Sequence, residues 1–154
     1  MTITTGIWRA PFAGSMLVDT GAWHALADRS DRHHARARRF YLDEAPKGRL
    51  ITTDLIVAEC WSLMAAHLGR PAAVTFWETL RTARIPILAL DAVDLESAWH
   101  ILRTFPDQSV SFTDCTSFAL MERVGVHEAF AFDAHFLVYR FGSQRNRAFR
   151  RWPA

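Results

Sequence analysis

The sequence lacks several features that would place it in a class immediately. It has two cysteines, Cys60 and Cys115, in apolar surroundings, which is too few for a disulfide framework or a zinc pattern. No apolar run is long enough to span a bilayer, and the N-terminus lacks the charged head and apolar block of a secretory signal. We therefore expect a cytoplasmic protein with buried thiols and no membrane segment. A glycine-rich phosphate-binding loop is also missing.

Lysine is almost absent, since Lys47 is the single lysine among 18 basic residues and the others are arginines. The net charge is only +2, but the arginines concentrate at 29–39 and 140–151. Arginine suits bidentate contacts with phosphate groups. Two interpretations stay open, namely contact with an RNA backbone and an ordinary solvated basic surface. The candidates for RNA contact are Arg32, Arg36 and Arg39.

The sequence does contain enough apolar material for one domain. Half of its 154 residues are hydrophobic, which allows a sizeable single core. The run at 15–19 is apolar without polar alternation, which suits a strand buried on both faces. It is one of four short runs that predict strands, and segments with helical periodicity separate them. These runs are 15–19, 49–53, 85–90 and 127–132. The alternation predicts an α/β fold with a central, mostly parallel sheet of about four to five strands and helices on both faces.

The predicted strands also suggest boundaries along the chain. We divide it into a leader of uncertain order (1–14), a domain (15–142) and an Arg-rich C-terminal tail (143–154). We expect the tail to fray. We expect Thr20 and Asp54 to cap the helices that follow the first two strands.

Acidic residues lie where the predicted strands end and helices begin. Asp19 and Asp133 end the first and fourth strands, and Glu59 lies in the first turns after the second. Ser111 predicts a helix N-cap, with Asp114 three residues later in the first turn. Because sites in parallel sheets form at the carboxyl ends of strands, these four acids can lie along one edge. Each also has an ordinary explanation as a cap or a solvent-facing acid.

Four carboxylates in one pocket would repel one another strongly if all were ionised. Some would take up protons, or a divalent cation would hold them together. Oxygen ligands without cysteine or histidine partners favour Mg²⁺ or Mn²⁺ over zinc.

Four short segments of the sequence, taken in order, are VDT, TTDLIVAEC, SFTDC and FDAHF. Together they resemble the PIN domain, and most closely the VapC-type toxin ribonucleases of prokaryotic toxin–antitoxin pairs. The resemblance covers about 16–142 and implies a PIN-like nuclease domain with metal-dependent endoribonuclease activity. It further implies an RNA substrate, a homodimer and a small antitoxin protein whose peptide covers the site.

The resemblance also implies roles for individual residues. Asp19, Glu59, Asp114 and Asp133 match the acidic quartet of the family. Asp19 and Asp114 would be the main ligands of Mg²⁺ or Mn²⁺, whereas Glu59 and Asp133 would act directly or through water. Thr20 and Thr113, which adjoin two of these acids, would orient the ligands through hydrogen bonds.

Other functions compete with this interpretation. VDT also resembles the start of a haloacid-dehalogenase-type phosphatase motif, but that motif needs a second aspartate where this chain has Gly21. A PIN fold that binds RNA without cutting it is a second possibility. An RNA-processing nuclease that is not a toxin is a third.

Two groups of side chains have more than one explanation. Three tryptophans on predicted helices could be core residues or could supply an apolar groove for a partner. They are Trp61, Trp77 and Trp99. Three histidines could serve as acid–base groups, but we expect them to be solvated, because metal-assisted hydrolysis does not require one. They are His33, His34 and His135.

Overall fold

The computed structural model of the protein describes residues 11–154, so the first ten residues of the predicted leader lie outside the described residues. Within 11–154, five strands form one sheet. They are β1 (Met16–Val18), β2 (Leu50–Thr53), β3 (Ile87–Leu88), β4 (Glu128–Phe130) and β5 (Arg150–Trp152). Their order across the sheet is β3-β2-β1-β4-β5, and every neighbouring pair is parallel.

Helices follow the strands and cover both faces of this sheet. Seven are present in the described part of the chain, in addition to a short 3-10 helix at Ala45–Lys47. They are α1 (Thr20–Ala27), α2 (His34–Glu44), α3 (Asp54–His67), α4 (Arg70–Thr82), α5 (Ala92–Thr104), α6 (Phe112–Val124) and α7 (His135–Val138). Helix α1 packs against α2 and α3, α3 packs against α4, and α5 packs against α6. The predicted parallel α/β fold is confirmed. Among the described helices, none combines the length and apolarity needed to cross a membrane.

Strand β1 lies at the centre of the sheet, and this position sets the location of the acids. Its three residues are fully buried. Met16 pairs with Leu50 on one side and with Glu128 on the other, so β1 and β4 run side by side and end together. Asp19 therefore leaves the sheet next to the segment that carries Asp133.

Two of the expected helix caps are wrong by one residue. Asp19 itself caps α1, because its carboxylate accepts the backbone N–H of Gly21 at 3.3 Å. Thr53 caps α3 by accepting the N–H of Ile56 at 3.1 Å. An N-cap favours extended backbone, and Asp19 and Thr53 have it at the point where strand gives way to helix. The third strand was predicted at 85–90 but is limited to Ile87–Leu88. It begins after Pro86, which has no N–H to donate to a ladder.

The expected fraying of the tail is wrong for 150–152, because these residues form β5 and pair with β4 along its whole length. Phe149 anchors the approach to this strand. It is buried and stacks on Phe141, with ring centroids 4.6 Å apart. Burial of this aromatic ring outweighs the entropy cost of ordering an Arg-rich segment.

The three uncertain tryptophans are not core residues. Trp61, Trp77 and Trp99 are 37%, 39% and 52% exposed, respectively. Trp23 on α1, in contrast, is buried. Its ring packs edge to face against that of Phe76, with ring centroids 5.5 Å apart. The exposed tryptophans leave apolar surface available for a partner.

Candidate active site

Asp19 and Asp114 are buried carboxylates on neighbouring elements. Asp19 is 4% exposed at the end of β1, and Asp114 is 8% exposed in the first turn of α6. A reciprocal capping box fixes Asp114, because Ser111 Oγ accepts the Asp114 N–H at 3.0 Å and Asp114 Oδ2 accepts the Ser111 N–H at 3.3 Å. The local sequence thus determines where this acid points.

Glu59 joins the two elements through hydroxyl groups. Thr20 Oγ1 donates to Glu59 Oε2 at 2.5 Å, and Thr113 Oγ1 donates to Glu59 Oε1 at 3.1 Å. Thr20 follows Asp19 directly and Thr113 precedes Asp114, so the contacts tie Glu59 to the neighbours of both buried acids. Each carboxylate oxygen keeps lone-pair capacity for a further partner.

The electrostatics of the pocket oppose full ionisation. Burial, followed by the negative charge of Asp114, raises the pKa of Asp19 from 3.8 to about 7, and the N–H groups of Thr20 and Gly21 offset only part of this. Burial also raises the pKa of Asp114, and Asp133 adds to the effect. Asp19 Oδ1 is buried and has no hydrogen-bond partner within 11–154. A buried, unpaired carboxylate oxygen among other carboxylates fits a divalent cation.

His135 is part of this pocket, so the expectation of a solvated side chain is wrong for it. It is 8% exposed, and its Nδ1 lies 2.8 Å from Asp133 Oδ1 and 3.3 Å from Asp114 Oδ2. Its Nε2 lies 2.9 Å from Asp107 Oδ2. Burial opposes protonation, but the hydrogen bond to Asp107 and the charges of Asp133 and Asp114 outweigh it and raise the pKa of His135.

The position of His135 has a chemical consequence. One ligand atom each from Asp114, Asp133 and His135 lies within 4.8 Å of the others, which is a spacing that a metal ion could bridge. A protonated imidazole would supply positive charge to the same carboxylates that a cation would bind. The imidazolium and a cation therefore compete for Asp114 and Asp133.

The other histidines and the candidate arginines have different surroundings from those of His135. His33 stacks on Phe132, the residue before Asp133, with centroids 4.2 Å apart. Arg32 is exposed and its Nε lies 3.0 Å from His33 Nε2, so it lies beside the segment that carries Asp133. Arg36 donates instead to the carbonyl oxygens of Pro153, at 3.1 Å, and Ala154.

Arg39 and His34 both lie on α2. Arg39 is exposed on α2. His34 is half-buried, and its Nδ1 lies 2.8 Å from the carbonyl oxygen of Ala25. His34 therefore helps to attach α2 to α1 and does not take part in the acidic pocket.

The fold and the pocket define a class of α/β protein in which acidic side chains converge at the carboxyl edge of a parallel sheet. The model of the PIN domain family matches 16–142 of this chain. The protein belongs to the PIN domain family.

Its relatives include a toxin nuclease. The 23S rRNA-specific endonuclease VapC20 of Mycobacterium tuberculosis is 33% identical over 122 residues, which cover 79% of this chain and 91% of VapC20. The crystal structure of VapC20, described as a sarcin–ricin loop cleaving toxin, superposes with a TM-score of 0.71 at 31% identity, over 78% of this chain and 91% of VapC20. The chain is thus a homologue of VapC-type RNA-cleaving toxins.

A more distant structure supports the fold alone. PAE2754 from Pyrobaculum aerophilum has a TM-score of 0.57 at 18% identity, over 98% of this chain and 92% of its own. The architecture is therefore kept at low sequence identity.

Proposed function

We propose that this protein is an endoribonuclease that uses Mg²⁺ or Mn²⁺ to hydrolyse RNA phosphodiester bonds, and that it acts as the toxin of a type II toxin–antitoxin pair. The observation that carries the proposal is the buried carboxylate of Asp19, whose Oδ1 has no hydrogen-bond partner within 11–154 and on which the charges of Asp114 and Asp133 act. Membership of the PIN family and homology to a named RNA endonuclease support the same chemistry.

The residues divide the work according to their surroundings. Asp19 and Asp114, which are buried and whose pKa values are raised, would be the main metal ligands. Glu59 would bind directly or through water, and its bonds to Thr20 and Thr113 keep its carboxylate oriented. Asp133, which is more exposed than the other two aspartates, would hold a second ion or an outer water.

When bound, a divalent cation would offset the negative charge of the scissile phosphate and lower the pKa of a water for attack at phosphorus. The role of the carboxylates would be to hold the cation in position for this reaction. Because they alone would repel RNA, the same residues need a cation before an anionic substrate can approach.

Cleavage assays with a matched pair of variants test this proposal. Asp114→Asn keeps the volume of the side chain and its capacity to accept the Ser111 N–H, so the fold should persist while cleavage is lost. Asp43→Asn is the control, because it removes the same charge from an exposed position on α2. The wild type and the control should cut RNA with Mg²⁺ or Mn²⁺ and stop when EDTA is added. Retained cleavage by folded Asp114→Asn protein, or cleavage that ignores EDTA, would contradict the proposal.

The substrate and the biological role need separate tests. We propose the sarcin–ricin loop of 23S rRNA as the first substrate to try, because it is the target named for VapC20. Induced expression in a bacterial host should arrest growth with the wild type but not with Asp114→Asn. Cleavage in vitro without growth arrest would point instead to an RNA-processing nuclease. Binding of RNA without cleavage would point to a non-cleaving RNA-binding module.

The remaining expectations about partners also belong to this proposal. We propose a cytoplasmic protein that forms a homodimer and binds a small antitoxin protein. The exposed tryptophans on α3, α4 and α5 supply apolar surface for such contacts. Light scattering of the purified chain tests the dimer, and a monomer at micromolar concentration would contradict it.

A further inference from the structure

Arg151 lies on β5 and contacts the backbone that carries Asp133. Its Nη1 donates to the carbonyl oxygen of Phe132 at 3.0 Å and to that of Asp133 at 3.3 Å. These carbonyls belong to successive peptide groups, so one guanidinium fixes the chain on both sides of the Asp133 α-carbon. Strand β5 lies beyond the residues that the family model matches.

The contacted backbone has few other restraints in the sheet. Strand β4 ends at Phe130, and the last ladder-type bond beyond it is from the Ala131 N–H to the Trp152 carbonyl, at 3.0 Å. The next two residues, Phe132 and Asp133, leave the sheet, and Asp133 enters the acidic pocket. Hydrogen bonds from a charged guanidinium are stronger than those from a neutral donor. Those of Arg151 therefore restrain a stretch of backbone that has left the hydrogen-bonded sheet.

The C-terminal segment is itself held at several points. Phe130 pairs with Trp152 in the sheet, and Arg36 of α2 binds the carbonyl oxygens of Pro153 and Ala154. On the other side, the ring of His33 stacks on Phe132 at an angle of 7°. Arg151 therefore connects two restrained segments, strand β5 and the Phe132–Asp133 backbone. It does not extend from a loose tail.

We propose that Arg151 is a positioning residue, which holds the Phe132–Asp133 backbone so that the Asp133 carboxylate faces Asp114 and His135. Its effect on cleavage rests on the function proposed above, whereas its effect on the Asp133 segment does not. Asp133 Oδ1 accepts the backbone N–H of His135 at 2.7 Å and lies 2.8 Å from His135 Nδ1, so a shift of this backbone would move two residues of the pocket together.

The matched variants are Arg151→Gln and Arg150→Gln. Each removes one positive charge from the same strand, and successive side chains on a strand point to opposite faces. Arg150 pairs with Glu128 at 2.8 Å, at the end of β4 that lies away from Asp133. Arg151→Lys keeps a charged donor and should restore part of any loss.

Three measurements on the full-length chain test the proposal. The affinity for Mn²⁺, measured by electron paramagnetic resonance, should fall about 10–100-fold in Arg151→Gln, as for other residues that orient metal ligands. The kcat for RNA cleavage should fall by a similar factor. KM for RNA should change less than about twofold, because Arg151 does not contribute to binding of the substrate in its ground state. Hydrogen exchange of the 131–138 segment without metal should speed up in Arg151→Gln and not in Arg150→Gln.

The outcomes separate this proposal from the proposed function. If Arg151→Gln matches Arg150→Gln in Mn²⁺ binding, kcat and exchange, the positioning role is overturned. If both Arg151 variants fail to fold, the residue is a structural anchor and the proposal is likewise overturned. If the wild type itself does not cleave RNA, the proposed function fails, but faster exchange confined to Arg151→Gln would still support the positioning role.

Discussion

Replacing Asp19 by asparagine should make the metal-free protein more stable at neutral pH. Asparagine is as good an N-cap as aspartate, so the start of α1 should survive the change. The substitution removes a buried carboxylate whose Oδ1 has no hydrogen-bond partner in the described part of the chain. What remains is a neutral side chain of the same size.

The magnitude follows from the pKa of Asp19, which rises from 3.8 to about 7 on folding. Because the folded protein holds this proton more tightly than the unfolded chain does, stability falls as the pH rises from about 4 to about 7. A separation of about three pH units, at about 1.4 kcal/mol for each, gives a cost of about 4 kcal/mol above pH 7. At pH 5 only about 2 kcal/mol of it is present. The Asp19→Asn variant should be free of this pH dependence.

Urea denaturation in EDTA at pH 5 and pH 8 measures the effect. The advantage of Asp19→Asn over the wild type should grow by about 2–3 kcal/mol between the two pH values. In a separate series without EDTA, free Mn²⁺ at about 100 times its Kd should stabilise the wild type by about 2.7 kcal/mol and leave the variant unchanged. Asp43→Asn controls for loss of charge alone, and should stay within about 0.5 kcal/mol of the wild type at both pH values. An equal difference between Asp19→Asn and the wild type at pH 5 and pH 8 would refute the reasoning.

Three further predictions concern the surroundings of the pocket. Thr113→Val removes the hydroxyl that donates to Glu59 at 3.1 Å, and cleavage should slow about 10-fold in a single-turnover assay while the fold remains. His135→Gln should destabilise the metal-free protein at pH 5.5 but much less at pH 9, as followed by thermal melting, because the raised pKa of His135 gives stability that is lost as the pH rises. Arg32→Gln should weaken RNA binding and lower the slope of log affinity against log salt by about 1, whereas no change in a salt titration would mark Arg32 as plain surface charge.

The residues that could be predicted are those whose placement depends on local rules. Asp19 follows a fully buried strand, and the Ser111 capping box fixes Asp114, so both positions can be read from a few adjacent residues. Glu59 could be placed in the first turns of its helix, but its two hydroxyl partners come from distant segments. Only the fold determines that Thr20 and Thr113 reach it from opposite sides.

The residues that were missed depend on tertiary contacts. His135 is two residues from Asp133, but its ring also contacts Asp107, which lies on a loop before α6. Strand β5 was missed because two of its three residues are arginines, and the apolar signal is limited to Trp152 and to Phe149, which precedes the strand. An arginine that binds backbone carbonyls, such as Arg151, resembles a solvated arginine in the sequence.

The strand order has a consequence for how the molecule is made. The central strand β1 is synthesised before the segment that carries Asp133 and before the edge strand β5, which contacts that segment. Chains are made from the N-terminus, so the acidic pocket cannot close before the Asp133 segment has been synthesised. A nascent chain that has reached only α6 therefore has Asp19 and Asp114 but lacks Asp133 and His135.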